Sequence, residues 1–266
     1  MNRLKLSLVA ATALLASTQL SPASMQQHGT LVALVDGTWL VTVDTETRAV
    51  TGAKEISGVE RVIGIDRRPS DGLIYGVTPD GWLVTLDAAT GVATPKVMLD
   101  AMLPAGVAAT VDFNPKADKL RLMGSDGTNL RVDPASGKVT TDGKLAFEAS
   151  DMHAGEAPAI VAAAYTNSYG TPETTAMYDI DATIVALIQQ VSPNDGTLKA
   201  VGKLGIEATE TYAFDIHSDA KGANTAWLVA GDTLYRVDLA TGAATAEGTI
   251  AGLPGAVSDI AAHDKM

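Results

Sequence analysis

The stretch WLVTLDAATG, from Trp82 to Gly91, decides the fold because it recurs along the chain. It combines a short apolar strand, an aspartate and a tight turn that ends in glycine, and a second strand follows it. Related phrases are WLVTVDTETR at 39–48, NLRVDPASG at 129–137, IQQVSPNDG at 188–196 and LYRVDLATG at 234–242. This spacing indicates an internal repeat.

The turn of the repeat has a clear chemistry. An aspartate or serine at its start accepts a backbone N–H from two residues on, and the final glycine supplies the positive φ that leads into the next strand. Arg48 replaces the glycine in the first copy, so we expect that turn to differ. One isolated acid per hairpin is typical of turns, and we predict no metal ligands among these aspartates.

A second phrase, an apolar strand that closes in a polar turn, precedes the hairpins. Its copies are 62–69, 109–115, 163–168, 213–218 and 258–264. With one further strand in most copies, each unit has four short antiparallel strands, as a β-propeller blade does. The N-terminal unit lacks its first strand, which residues 257–262 can supply. The sequence therefore predicts an all-β, five-bladed propeller over residues 25–266, closed by strands from both termini.

The segment 169–187 interrupts the regular spacing of the repeats. The polarity of residues 171–181 favours an exposed hairpin or flap that extends the fourth unit. If the segment belongs instead to an additional blade, the propeller has six blades.

Composition excludes several classes of protein. The 266 residues are 46% apolar and 19% charged, which excludes a disordered chain. The chain has no cysteine, so it has no disulfide scaffold, thiol nucleophile or zinc–thiolate site. Because 31 acidic residues outweigh 19 basic ones, we expect neither nucleic acid nor a membrane surface as a partner. We expect a monomer.

Residues 1–24 have the layout of a secretory signal peptide. Arg3 and Lys5 precede a compact apolar stretch at 6–15, and small residues follow up to position 24. The apolar stretch is too short to span a bilayer. We therefore expect cleavage near Ala23 or Ser24 and a periplasmic or secreted protein.

Four phrases resemble a bacterial secreted family called domain of unknown function 4394. They are VDFNP at 111–115, NLRVDP at 129–134, AYTNS at 164–168 and PNDGTL at 193–198. The resemblance covers roughly residues 31–260. It implies an exported, propeller-like domain and no established reaction, so no catalytic residue follows from it.

The first strand of each unit carries the candidate ligand-binding residues. In a propeller this strand lines the central channel, and side chains two positions apart face the same way. Aligned repeats place two polar positions near one mouth of the channel, with these residues: Asp66, Arg68, Asp112, Asn114, Tyr165, Asn167, Asp215, His217 and His263. They predict a weak site for a small polar ligand and no tight metal site, because Arg68 opposes a cation. The alternative is that they bond to the turns that follow.

Familiar catalytic motifs are absent from the sequence. There is no Gly-x-Ser-x-Gly elbow, His-Glu-x-x-His motif or phosphate-binding glycine loop. We therefore predict a non-enzymatic propeller that binds a small polar molecule or a protein partner, without a cofactor. Two alternatives stay open: a carboxylate-based hydrolase or lyase acting on a glycan, and an ion-stabilised structural module. The distances between Asp66, Asp112 and Asp215 bear on the enzyme alternative.

The loops of the opposite face offer a different candidate site. Residues 98–108 and 146–158 combine carboxylates with methionine and, in the second loop, a histidine. These side chains suit a metal ion by type but have no regular ligand spacing.

Overall fold

The computed structural model describes residues 29–264, so the expected signal peptide lies outside the described residues. Its 21 β-strands form five sheets, which are the blades of a propeller. In this part of the chain no helix has the length and apolar character needed to cross a membrane. The predicted all-β, five-bladed architecture is confirmed.

The strands of each blade run in order from the channel outwards. The first blade contains β21 (Val257–Asp264), β1 (Gly29–Val35), β2 (Trp39–Asp44) and β3 (Ala49–Glu55). The second contains β4 (Gly64–Arg67), β5 (Ile74–Val77), β6 (Trp82–Leu86) and β7 (Ala93–Met98). The third contains β8 (Ala109–Asn114), β9 (Lys119–Gly124), β10 (Asn129–Val132) and β11 (Val139–Thr141). The fourth contains β13 (Ile160–Tyr165), β14 (Met177–Asp181), β15 (Ala186–Ser192), β16 (Thr197–Lys203) and β12 (Ala146–Phe147). The fifth contains β17 (Tyr212–Ser218), β18 (Asn224–Ala230), β19 (Thr233–Val237) and β20 (Ala244–Thr249).

The innermost strands form a closed ring around the channel. In order around the axis, β4, β8, β13, β17 and β21 each contact the next, and β21 contacts β4. Strand β21 also pairs antiparallel with β1, with Leu31 opposite Ala262. The C-terminal strand therefore completes the blade that begins at the N-terminal end, as the sequence predicts.

Five apolar clusters hold the blades together, one between each pair of neighbours. Strand β1 illustrates the cause, because its side chains alternate between two buried faces. Leu31 and Ala33 pack against the fifth blade, whereas Val32 and Leu34 pack against the second. The core of the propeller therefore lies between the sheets and not along the channel.

The repeated turns follow the predicted chemistry, with one correction at Arg48. Asp87 Oδ1 accepts hydrogen bonds from the backbone N–H groups of Ala89 and Thr90, and Gly91 has a φ of 81°. Arg48 has a φ of 58°, and its N–H donates to the carbonyl of Asp44 at 2.8 Å. The expectation that this turn differs is therefore wrong, because the arginine adopts the left-handed conformation that glycine usually provides.

The segment 169–187 also differs from its prediction. Residues Met177–Asp181 form the buried second strand of the fourth blade, so neither an exposed hairpin nor a sixth blade is present in the described range. The strand carries two buried acids, Asp179 and Asp181, where an apolar pattern is usual, and this hides it in the sequence. The blade also gains a two-residue outer strand, Ala146–Phe147, which pairs parallel with β16.

Candidate functional site

Four buried aspartates connect the inner strands across the channel wall. One carboxylate oxygen of each accepts a hydrogen bond from a backbone N–H of the next inner strand. The pairs are Asp66 with Phe113 at 2.7 Å, Asp112 with Tyr165 at 3.0 Å, Asp215 with Ala262 at 2.5 Å and Asp259 with Ile65 at 2.8 Å. Four of the five junctions in the ring are bridged in this way, so these acids tie neighbouring blades together.

Three of these acids meet in the channel. Asp66, Asp112 and Asp215 place carboxylate oxygens within 4.8 Å of one another, and all three side chains are buried. Burial raises the pKa of each, and the charge of Asp215 raises the pKa of Asp66 further. The pKa of Asp215 rises to about 6, although its bonds to Ala262 and Ile216 oppose the increase. Three carboxylate oxygens suit a hard cation by type, but the same carboxylates already accept inter-strand hydrogen bonds.

Asp259 is a further channel acid, which is not among the site residues predicted from the sequence. It lies two residues before Ala261, on the same face of the C-terminal strand. A Cβ at Gly64 would lie 3.2 Å from Asp259 Oδ2 and 2.5 Å from a methyl carbon of Val111. Glycine at position 64 therefore leaves room for the carboxylate. The sequence signals for this contact are the aspartate at position 259 in the C-terminal strand and the glycine at position 64 in the first strand of the second blade.

Arg68 does not join the channel acids. Its guanidinium bonds to Asp118, with Nε 2.8 Å from Oδ1, and to Asp71, with Nη1 3.0 Å from Oδ2. The same group lies over the rings of Tyr75 and Phe113 at 5.8 and 5.9 Å. Arg68 thus links the second and third blades, and Asp118 in turn has a lowered pKa because of this bond.

The two asparagines of the predicted site bond to nearby loops. Asn114 Oδ1 accepts hydrogen bonds from the N–H groups of Lys116 and Ala117, at 3.0 and 2.9 Å. Asn167 has a φ of 59°, and its side chain bonds to Asn224 of the fifth blade and to the carbonyl of Thr174. Both asparagines therefore follow the alternative interpretation, in which these side chains bond to the loops after the strand.

Tyr165 lies in the apolar cluster between the third and fourth blades. Its side chain is 1% exposed, and its hydroxyl accepts a hydrogen bond from Arg121 Nε at 3.3 Å. Burial raises the pKa of this phenol. Its backbone N–H, by contrast, is the group that bonds to Asp112 in the channel wall.

His217 and His263 lie on neighbouring inner strands, β17 and β21, where the repeat alignment places them. Both are half-buried. His263 lines an open groove of about 820 Å³ together with Arg67 and the turns of the second blade. The structure thus places three of the predicted residues in the channel wall and one in this groove, Asn114 at its own turn, and Arg68, Tyr165 and Asn167 at three different blade junctions.

The other end of the channel contains a cavity of about 500 Å³, which we call the axial cavity. Residues at or next to the start of every inner strand line it: Ile63, Ala109, Val161, Tyr212 and Ser258. The loop at 102–108 covers one side, and Arg61 and Glu210 stand at its edge. The loops of this face are predictable from the sequence, but the cavity is not, because its walls come from all five blades.

The acidic loop on this face is held by its own contacts. Asp151 accepts hydrogen bonds from the N–H groups of His153 and Ala200, both at 2.8 Å. His153 Nδ1 lies 2.9 Å from a carboxylate oxygen of Glu156. These side chains fix the shape of the loop.

Several solved structures are similar to this chain. A protein of unknown function from Bacteroides thetaiotaomicron VPI-5482 has a TM-score of 0.54 and 14% identity, over 92% of this chain and 66% of that one. A protein of unknown function from Bacteroides caccae has a TM-score of 0.44 and 14% identity, over 83% and 72%. The calcium-binding protein regucalcin from Agrobacterium tumefaciens str. C58 has a TM-score of 0.46 and 16% identity, over 84% and 75%.

At 14% identity the first of these likenesses shows the fold alone, and nothing is argued from the two with TM-scores below 0.5. No curated protein matches the sequence significantly. The model of the family described as a domain of unknown function, DUF4394, matches residues 27–261, which is nearly all of the chain. The resemblance found in the sequence is thereby confirmed, and the chain belongs to the DUF4394 family.

Proposed function

We propose that the protein is an exported, non-enzymatic binding protein whose small-molecule ligand occupies the axial cavity. The observation that carries this proposal is the convergence of all five inner strands on one cavity of about 500 Å³. Cavities of this size, at a point where several elements meet, are typical of small-molecule sites. A concave site also favours a small molecule over the flat surface of a protein partner.

The walls of the axial cavity indicate what kind of molecule fits. Most of the lining is apolar and includes Val62, Leu103 and Val161. Arg61 and Glu210 supply one charge of each sign at the edge, and among the described residues neither forms an ion pair. A ligand with an apolar body and a charged or polar end satisfies both features.

The contacts of the channel acids disfavour the hydrolase alternative. A glycosidase needs one carboxyl group that transfers a proton and one that faces the sugar or a water molecule. Asp66, Asp112 and Asp215 instead accept hydrogen bonds from backbone N–H groups of the next strands. They are buried, and none of them lines the axial cavity or the groove at His263.

The groove at His263 is the second candidate location for a ligand. It retains one residue of the site predicted from sequence, and Arg67 adds a positive charge beside it. This combination favours an anionic ligand. The groove is built from the second blade and the end of the C-terminal strand, so fewer inner strands define its shape than define the axial cavity.

A thermal-shift screen with small amphiphilic acids and amino acids tests the proposal. A ligand at 100 times its Kd stabilises the folded state by about 2.7 kcal/mol, which is a measurable increase in Tm. The variant Ala108→Trp fills the mouth of the axial cavity from an exposed position, and Ala135→Trp makes the same change on an exposed turn of the opposite face. We expect the shift in wild type and Ala135→Trp and its loss in Ala108→Trp. A shift that survives in Ala108→Trp contradicts the proposal.

A further inference from the structure

The second strand of the fourth blade, β14, carries two buried aspartates in opposite environments. Asp181 accepts hydrogen bonds from three backbone N–H groups, those of Ala159, Thr183 and Ile184, at 2.9, 2.8 and 3.1 Å. Asp179 is 0% exposed, and neither of its carboxylate oxygens has a hydrogen-bond partner among the described residues. Unpaired buried polar atoms are rare enough to require an explanation.

The surroundings of Asp179 are apolar. It lies opposite Ala163 on β13 and Ile188 on β15, and both belong to the apolar cluster between the third and fourth blades. The charges that act on it are those of Arg121 on β9 and Asp181 on its own strand. The guanidinium of Arg121 donates its hydrogen bonds to four other side chains, those of Asn129, Asp142, Tyr165 and Asn194. A charge on Asp179 would therefore be buried without a bonded partner.

Burial without a donor favours the neutral form of a carboxyl group. It raises the pKa of Asp179 well above the usual value, although the charge of Arg121 opposes the increase. A neutral carboxyl group carries a hydroxyl, and a buried hydroxyl needs an acceptor for its hydrogen.

Gln190 on β15 offers that acceptor. Its Oε1 is the remaining buried side-chain oxygen without a partner in the described part of the chain. Its Nε2 donates to the carbonyl of Pro193 at 3.2 Å, which orients the amide. Because Asp179 is opposite Ile188 and Gln190 is opposite Met177, Asp179 and Gln190 occupy diagonal positions on one face of the blade. Such neighbours lie about 7–8 Å apart, within reach of a long side chain.

We propose that Asp179 is a neutral acid in the folded protein, that its hydroxyl donates to Gln190 Oε1, and that this bond makes the packing of the fourth blade on the third sensitive to pH. Loss of the proton to solvent leaves two acceptors together and a charge among apolar side chains, so it weakens this junction. The folded protein holds the proton to a higher pH than the unfolded chain does. The contribution to stability is therefore fully present below about pH 4 and is lost as the pH rises.

The Tm of wild type and of Asp179→Asn across a pH series tests the state of the acid. Asparagine keeps the size of the neutral acid and does not titrate, and the channel acids are the same in both proteins. We expect the Tm of wild type to fall relative to that of Asp179→Asn between about pH 5 and about pH 8. The matched change Asp181→Asn, on the same face of the strand, alters an acceptor of three N–H groups and should lower the Tm.

Infrared difference spectroscopy observes the proton directly. The spectrum of wild type minus that of Asp179→Asn near neutral pH should contain the C=O stretch of a protonated carboxyl group. The absence of this band, or a Tm difference between the two proteins that does not change with pH, would show that Asp179 is ionised and would overturn the inference.

A double-variant cycle tests the bond to Gln190. At about pH 5, Asp179→Leu and Gln190→Met should each lower the Tm, because each leaves the other polar group without a partner. The double variant should lower it by less than the sum of the two. Strictly additive losses would show that the two side chains do not bond. The double variant, which has neither polar group, replaces Asp179→Asn in the pH series and in the infrared spectrum if that variant does not fold.

Discussion

Asp215, on the inner strand of the fifth blade, accepts a hydrogen bond from the backbone N–H of Ala262, with 2.5 Å between Oδ2 and the nitrogen. Ala262 belongs to the C-terminal strand, which is paired with β1. The same strand carries Asp259, which bonds to Ile65 of the second blade. One strand at the end of the chain therefore completes the first blade and connects it to both neighbours.

Deletion of residues 257–266 should disrupt the whole ring. It removes the partner of β1 and the hydrogen bonds at Asp215 and Asp259, and it exposes an unpaired strand edge. We expect aggregation or the loss of a single cooperative unfolding transition, measured by calorimetry and light scattering. A truncated chain that stays monomeric and melts at the wild-type temperature would show that the terminal strand does not close the ring.

The channel acids should make stability depend on pH. Burial raises the pKa of Asp215 to about 6, whereas an aspartate in an unfolded chain has a pKa near 4. The folded state thus holds more protons between these values, so this group's contribution is fully present below about pH 4 and is lost as the pH rises through about 6.

The variant Asp215→Asn isolates this contribution. Relative to wild type, Asp215→Asn should have a lower free energy of unfolding. The difference should be larger at pH 4 than at pH 7, by on the order of 2 kcal/mol. Denaturant titrations of both proteins across this range measure the difference. A penalty that stays constant or grows with pH would mean that the carboxyl is not destabilised by burial.

The aspartates of the repeated turns should matter for stability alone. Asp87→Ala and Asp238→Ala each remove an acceptor for two backbone N–H groups. Each change should lower the free energy of unfolding by about 0.5–2 kcal/mol, by analogy with lost helix caps. Metal analysis of the purified variants should match wild type, and metal lost together with either aspartate would identify it as a ligand.

Arg48→Gly should stabilise the first blade. An arginine in the left-handed region costs about 1 kcal/mol relative to glycine, and urea titration should detect a gain of that order. The matched change Gly242→Ala should be strongly destabilising, since a Cβ there would lie 2.5 Å from the carbonyl oxygen of Gly202. If Gly242→Ala changes the free energy of unfolding no more than Arg48→Gly does, crowding by the carbonyl of Gly202 does not explain the need for glycine at position 242.

The fold could be predicted because the repeat carries it in local signals. Asp87 and Gly91 mark a turn by their own chemistry. The strand at 257–262 belongs to no other repeat, and the N-terminal repeat lacks one strand, so the two complete one blade. Strand β14 escaped prediction because it carries two buried acids, Asp179 and Asp181, where apolar residues are usual. Asp181 accepts hydrogen bonds from the backbone N–H groups of Ala159, Thr183 and Ile184 in its own blade, and its burial is not visible in the hydrophobic pattern.

The candidate site was predictable only in part. The alignment brought Asp66, Asp112 and Asp215 together because equivalent strands meet at the axis. The alignment gives no indication that Arg68 bonds to Asp118, because the two residues lie 50 positions apart and belong to different blades. The axial cavity and the pairing of Asp259 with Ile65 likewise depend on how separate blades pack.

A ligand in the axial cavity and a ligand in the groove at His263 should respond in opposite ways to substitutions at the two ends of the channel. The most direct test is the Kd of one compound from the thermal-shift screen, measured by calorimetry on Ala108→Trp and on the double variant His217→Ala with His263→Ala. The account predicts that binding is lost in Ala108→Trp and retained in the histidine variant. Binding that is retained in Ala108→Trp and lost in the histidine variant would contradict it and place the site at the groove.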